Sequence, residues 1–257
     1  LPAPARSSGL DYDNRLRLHG AGAPLVYVPG IDGTGELFYA QLPRLAHRFR
    51  IATYRLRDEA VSMDQLADDL AAVIGTVSPM GEPATLVAES FGGALAMSAA
   101  LRHPERVGRL VVLNSFARLD APWRLHVAIG GMQLLPWQVT SGIRRLSSLR
   151  HHSPTTPRAD VVRSLRVTST STRVGYLNRL RILSRYDLRE RLPEIAAPTL
   201  YLAGDRDTLI PSVRQARFMA SRVPRATLRL LEGHGHAPFL APDVNVDQLL
   251  REWEATR

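Results

Sequence analysis

Six short apolar runs, Leu25–Val28, Ile51–Tyr54, Ala84–Ala88, Leu110–Asn114, Thr199–Ala203 and Thr227–Leu231, are separated along the chain by longer amphipathic stretches. Strands apolar on both faces have to be covered on both, and a helix between successive strands turns each connection into a crossover. The alternation therefore predicts a mostly parallel sheet flanked by helices. Met63–Val77 typifies the connections: Leu66, Leu70, Val73, Ile74 and Val77 share one face, and Ser62 stands at the N-cap. Asp64, Asp68 and Asp69 lie in the half where the helix dipole is positive. Arg15–Leu18 predicts an early antiparallel strand.

One stretch departs from this alternation. Residues 117–191 hold fourteen arginines against Asp120, Asp160, Asp187 and Glu190, whereas the rest of the chain is close to neutral and the whole carries +9. Apolar residues recur at helical spacing through Val127, Leu134 and Leu135, then through Val161, Leu165, Leu177, Leu180 and Leu183, with Pro154 and Pro157 between. These features predict a helical insertion at 117–191 in a core formed by 10–116 and 192–257. Trp123, Met132, Leu135 and Trp137 are expected inside it, with Trp123, Met132 and Trp137 as candidates to line a substrate entrance. His151 and His152 read as a solvated loop, because adjacent imidazoles do not easily face one ion and no carboxylate cluster lies near. The arginines suit either a solvated face or an anionic partner, a substrate or a lipid surface. No nucleic-acid motif accompanies them, so no nucleic acid is expected.

Composition removes several chemistries. With no cysteine there is no disulfide, thiolate metal site or cysteine nucleophile, and with all 33 basic residues arginine there is no Schiff-base or P-loop lysine. No window reaches the ~18 apolar residues of a membrane span, and Leu1–Gly9 lacks a signal-peptide pattern, so a soluble, cytoplasmic protein is expected. The sequence begins on Leu1 rather than methionine, which leaves N-terminal processing open.

The segment Ala84-Thr-Leu-Val-Ala-Glu-Ser-Phe-Gly-Gly-Ala-Leu-Ala-Met97 carries an apolar strand through one serine into a helix of small residues. A serine on so sharp a bend is pushed out of the sheet, and Ala88 and Gly92, two positions to either side, let strand and helix approach. The helix then directs its free N–H groups at the serine, with the Phe91 amide as the first donor to an oxyanion. A serine between strand and helix, taken alone, is more often an N-cap. Ser90 as a nucleophile requires a histidine base and an acid after later strands, and both follow in order. Gly204-Asp-Arg-Asp-Thr-Leu-Ile-Pro211 offers Asp205 and Asp207; Gly233-His-Gly-His-Ala-Pro238 offers His234 and His236; Asp120 is a fallback acid. A second oxyanion donor belongs after an early strand, where Val28-Pro-Gly-Ile-Asp-Gly-Thr-Gly35 nominates the Ile31 amide and leaves Asp32 to the turn.

From about Arg15 to Trp253 the order of these motifs resembles the α/β-hydrolase superfamily. The resemblance implies a mostly parallel eight-stranded sheet flanked by helices, with a helical cap between strands six and seven. It places the family's acid on Asp207, within Gly204, Asp207 and Pro211, and its base on His236, within Gly235-His236. Three positions depart from the common pattern: Ala88 stands for the first glycine around the nucleophile, Pro29 for a histidine before the oxyanion glycine, and Phe239-Leu-Ala-Pro242 lacks a glutamate. Pro-Gly-Ile-Asp-Gly-Thr-Gly together with Glu-Ser-Phe-Gly also looks like plastid esterase/acyltransferases of the phytyl ester synthase type. The expected activity is hydrolysis of a small-molecule carboxylic ester, anionic or lipid-like, through an acyl-enzyme on Ser90, without metal or organic cofactor. Acyl transfer, lactone, thioester or carbon–carbon hydrolysis use the same triad, and a slow-turnover ligand receptor uses the same fold. The oligomeric state is not legible.

Overall fold

A computed structural model describes residues 15–120 and 122–256. The boundary expected at residue 10 lies outside the described residues. The chain runs β1 (Leu16–His19), β2 (Ala23–Val28), α1 (Leu42–Leu45), β3 (Phe49–Tyr54), α2 (Met63–Val77), β4 (Ala84–Glu89), α3 (Phe91–Arg102) and β5 (Val107–Leu113). Four helices follow, α4 (Pro122–Leu134), α5 (Trp137–Ser148), α6 (Arg158–Thr168) and α7 (Arg173–Arg185). The chain closes with β6 (Thr199–Gly204), α8 (Ser212–Ala220), β7 (Ala226–Leu231) and α9 (Val246–Ala255).

All six apolar runs are strands, β2 to β7, and with β1 they form a sheet in the order β1-β3-β2-β4-β5-β6-β7. β1 pairs antiparallel with β3, Leu16 opposite Tyr54, and every other neighbour is parallel. The sheet thus has seven strands among the described residues where eight were expected, because β1 is the one antiparallel strand beside the six marked by apolar runs. For the same reason the helical insertion falls between the fifth and sixth strands described.

Alternate strand residues feed two cores. Val26 and Val28 face Leu66, Leu70 and Ile74 of α2 and the small residues of α3, while Leu25 and Tyr27 face Phe38, Phe49, Leu249 and Trp253. Ser62 caps α2 by accepting from the Gln65 N–H at 3.2 Å. After β2 the chain turns to β3 on one side and then crosses to β4 on the other, so the loops leaving the carboxyl ends of β2 and β4 diverge and open a crevice.

Of the four helices between β5 and β6, α4, α5 and α7 share a small core in which Met132, Leu177 and Leu180 pack with Ile129, Trp137, Tyr176 and, from the loop after β2, Ile31. The end of α7 joins the main core through Ile182, Leu183 and Tyr186. Val127 and Leu134 are helical as expected but exposed, since their face of α4 points away from α7, whereas Leu135 lies just past the end of α4 and is exposed as well. Among the described residues no helix is long and apolar enough to cross a membrane.

Candidate active site

Ser90 links β4 to α3 with φ 54° and ψ −121°, a conformation an L-residue holds only when its surroundings over-determine it. Three backbone contacts do so: the Ser90 N–H donates to the Leu113 carbonyl at 2.9 Å, and its carbonyl accepts from Ser115 Oγ at 2.8 Å and the Gly93 N–H at 3.0 Å. Although Ser90 occupies the N-cap position of α3, its hydroxyl makes no capping bond. A Cβ on Gly92 would stand 2.2 Å from the Val28 carbonyl oxygen, so only glycine lets α3 begin this close to β2.

The loop after β7 brings His236 against the loop after β6. His236 Nδ1 lies 2.7 Å from Asp207 Oδ2, and the Asp207 side chain is 1% exposed. Asp207 also accepts from the Leu209 and Ile210 N–H groups and from Ser212 Oγ. Burial disfavours its charge, but the bonds from His236, Ser212 and Ile210 outweigh that and hold the carboxyl below the usual range. Asp205 and His234 are used elsewhere. Asp205 accepts from the Gly233 N–H at 2.7 Å, a contact between the loops after β6 and β7, while His234 meets Ser153 Oγ at 2.9 Å and ties its loop to the segment between α5 and α6. Asp120 pairs with Arg214 on the surface.

A cavity of about 210 Å³ joins these groups, lined by Gly30, Ile31, Ser90 and His236 on the sheet side and by residues of α5, α6 and α7 on the other. The Phe91 amide lies at the first position of α3. The Ile31 loop is fastened from within and from above. Asp32 accepts from the Thr34 N–H at 2.9 Å and from Thr34 Oγ1, so Asp32 serves the turn, as expected. Arg179 of α7, 1% exposed, donates from Nε to the Ile31 carbonyl at 2.8 Å and from Nη2 to the Asp32 carbonyl at 3.3 Å, while Nη1 pairs with Asp58 at 3.1 Å.

Trp123, Met132 and Trp137 do not line this cavity. Trp123 is 63% exposed, and Met132 and Trp137 pack in the small core of the inserted helices, which turns them away from Ser90. His151 and His152 are not a solvated loop either. Both line the cavity, with the His151 ring 5.8 Å from that of His236 and His152 Nε2 2.7 Å from Ser164 Oγ. Burial, with His236 beside it, pushes His151 down to about 4. Among the described residues no three His, Asp or Glu side chains are grouped to hold a metal ion.

Three residues went unread in the sequence. Glu89 is buried beside Ser90, takes a hydrogen bond from Tyr27 Oη, and is raised to about 7 chiefly by desolvation. Its signal was a carboxylate inside an apolar strand. Asn114, with φ 46°, donates from Nδ2 to the carbonyls of Gly235 and His236 and accepts the Gly204 N–H, clamping the loops of the acid and the base together. Its signal was the residue type, since asparagine tolerates the left-handed conformation at a strand end. Arg179 had none, being one arginine among fourteen.

The comparisons agree with this architecture. A family model described as the alpha/beta hydrolase fold matches residues 23–242. A protein of Azorhizobium caulinodans named as a carbamate hydrolase, RutD, is 28% identical over 94% of this chain and 95% of its own length. A pimeloyl-[acyl-carrier protein] methyl ester esterase of Xanthomonas oryzae pv. oryzae is 29% identical over 92% of this chain and 97% of its own. The fold is shared with the solved structure of a thermophilic esterase from Thermogutta terrifontis, at a TM-score of 0.81 and 22% identity over 94% of this chain and 92% of that one. With its parallel sheet, its serine at the turn from β4 to α3 and a family match over most of its length, the chain belongs to the alpha/beta hydrolase fold family.

Proposed function

We propose that the protein hydrolyses carboxylic esters with Ser90 as nucleophile, His236 as base and Asp207 as the group that orients the imidazole. The observation that carries this reading is His236, 2.7 Å from Asp207 and bordering the same cavity as a serine held at positive φ without a capping bond. Asp207 accepts the Nδ1–H, which leaves Nε2 free to take the hydroxyl proton as Ser90 Oγ attacks the ester carbonyl. The Ile31 and Phe91 amides hold the oxyanion of the tetrahedral intermediate. His236 then protonates the departing alcohol, and a water activated by the same imidazole releases the acid. The helices of 117–191 act as the cap that closes the cavity over the acyl group. Relatives named as a carbamate hydrolase and a methyl ester esterase support hydrolysis at an acyl carbon.

The test is labelling and turnover together. A fluorophosphonate is expected to label the wild type and not Ser90→Ala, and 4-nitrophenyl esters of short acids are expected to be cleaved, with kcat lost on the order of 10⁴–10⁶ in the variant. Labelling that persists in Ser90→Ala removes Ser90 from the reaction.

A further inference from the structure

The two sides of the cavity differ in charge. The sheet side carries Asp32 and Glu89 next to Ser90 and His236, and the helix side carries Arg144 and, exposed at the rim, Arg145. Arg144 is the unusual one. Its guanidinium carbon lies 4.0 Å from the Tyr176 ring centroid and 4.7 Å from that of Trp137, so it packs against two aromatic rings. Nη2 reaches only the Thr168 carbonyl, at 3.4 Å, and Nη1 is shut off from water with no hydrogen-bond partner. Among the described residues no carboxylate pairs with it.

Arg179, on α7, shows what a structural arginine looks like here: it is fully buried, but Asp58 neutralises it and two carbonyls take its remaining donors. A half-buried guanidinium with an idle, fully enclosed donor is unfavourable unless a further acceptor arrives, and desolvation already works against the charge of Arg144. The cavity is where that acceptor can come from.

We propose that Arg144 binds a carboxylate carried by the substrate, so that the protein's ester is an organic anion whose charged end lies under α5 while its carbonyl lies at Ser90. This rests on the ester-hydrolase reading above. A carboxylate offers two oxygens to the planar edge of the guanidinium. At the opposite side Asp32, joined by Glu89 where it has lost its proton, repels the same group, which sets the direction in which the substrate enters.

Two ester pairs and one binding measurement test this. The first pair is the 4-nitrophenyl half-ester of glutaric acid and the matching ester of its monoamide, with the carboxylate on the acyl side. The second is the acetyl ester of 4-hydroxybutanoic acid and its amide, with the carboxylate on the alcohol side. In at least one pair kcat/KM is expected to favour the anion by about tenfold or more, and Arg144→Gln to lower that preference by about 10- to 100-fold, the range of a charge-assisted hydrogen bond. Arg144→Lys is expected to keep part of it, and circular dichroism shows whether either variant is folded. Glutarate titrated calorimetrically gives a readout without turnover and is expected to bind the wild type at least about tenfold more tightly than Arg144→Gln.

Equal rates within both wild-type pairs, or a preference that Arg144→Gln and Arg144→Lys leave intact, overturn the proposal. Neutral esters cleaved with no preference and no glutarate binding leave the hydrolase standing without the anion site. Glutarate binding that depends on Arg144, with no ester cleaved, leaves the anion site standing without the hydrolase.

Discussion

Arg179 donates from Nε to the carbonyl of Ile31 at 2.8 Å, tying a helix of the insertion to the loop that borders the cavity beside the candidate nucleophile. The contact is one of a set. Ser171 Oγ donates to the Asp32 carbonyl at 2.9 Å, and a Cβ on Gly33 would lie 2.7 Å from the Arg179 guanidinium carbon, so loop and arginine fit only while residue 33 is glycine. The inserted helices therefore do more than cover the cavity, because they fix two carbonyls of the loop beneath it.

If Arg179 is a positioning residue, Arg179→Met should lower kcat on the order of a hundredfold while changing KM much less, since a misplaced oxyanion donor costs the transition state and not the ground state. A fall in melting temperature is expected as well, because Asp58 loses its buried partner. A variant that is less stable but keeps its kcat would make the contact purely structural.

The paired acids and histidines separate by partner. Asp207→Asn should cost about ten-thousandfold in kcat at neutral pH by disturbing the histidine tautomer, and His236→Ala at least as much. Asp205→Asn and His234→Ala each weaken one contact between loops, so both should act mainly on stability. Steady-state rates and melting curves of the four variants check this, and a greater kinetic loss at Asp205 or His234 would exchange the roles.

The strain at Ser90 can be measured by its release. Glycine accepts φ 54° without the steric cost an L side chain pays there, which is about 1–3 kcal/mol, less up to about 1 kcal/mol for the freer unfolded chain. Ser90→Gly and Ser90→Ala should both be inactive, with Ser90→Gly melting at the higher temperature. Equal melting temperatures would mean that Ser90 is not held under strain.

What could be read from the sequence was whatever depends on neighbours along the chain. The strands declare themselves by apolar runs, α2 by its face and its Ser62 cap, and the elbow by small residues around Ser90. The choice of Asp207 and His236 over Asp205 and His234 needed the family pattern, because two residues of one type in one turn cannot be told apart by composition. What depends on contacts between distant segments was not legible. Trp137 and Met132 look like cavity-lining residues on any helix, and only the packing of α4 and α5 on α7 turns them inward. Asn114 acts across 90 residues on Gly204 and 121 on Gly235, and Arg179 across 148 on Ile31.

Glu89 gives a pH dependence of stability that one substitution isolates. Burial raises its folded-state pKa from 4.5 to about 7, so between those values the folded chain holds a proton that the unfolded chain has lost. Stability then falls as pH rises through that window. Below about 4.5 the two states are equally protonated at this site, and above about 7 the full penalty, a few kcal/mol, is present. Asp207 works in the opposite direction: its folded-state pKa lies below the unfolded value, so its stabilisation is present above that value and is lost as pH falls through the folded one. Glu89→Gln keeps an acceptor for Tyr27 Oη and removes the titration. Melting temperatures at pH 5 and pH 8 should show the variant close to the wild type at the lower pH and several degrees above it at the higher. A constant difference between the two would mean that Glu89 does not change its charge over this range.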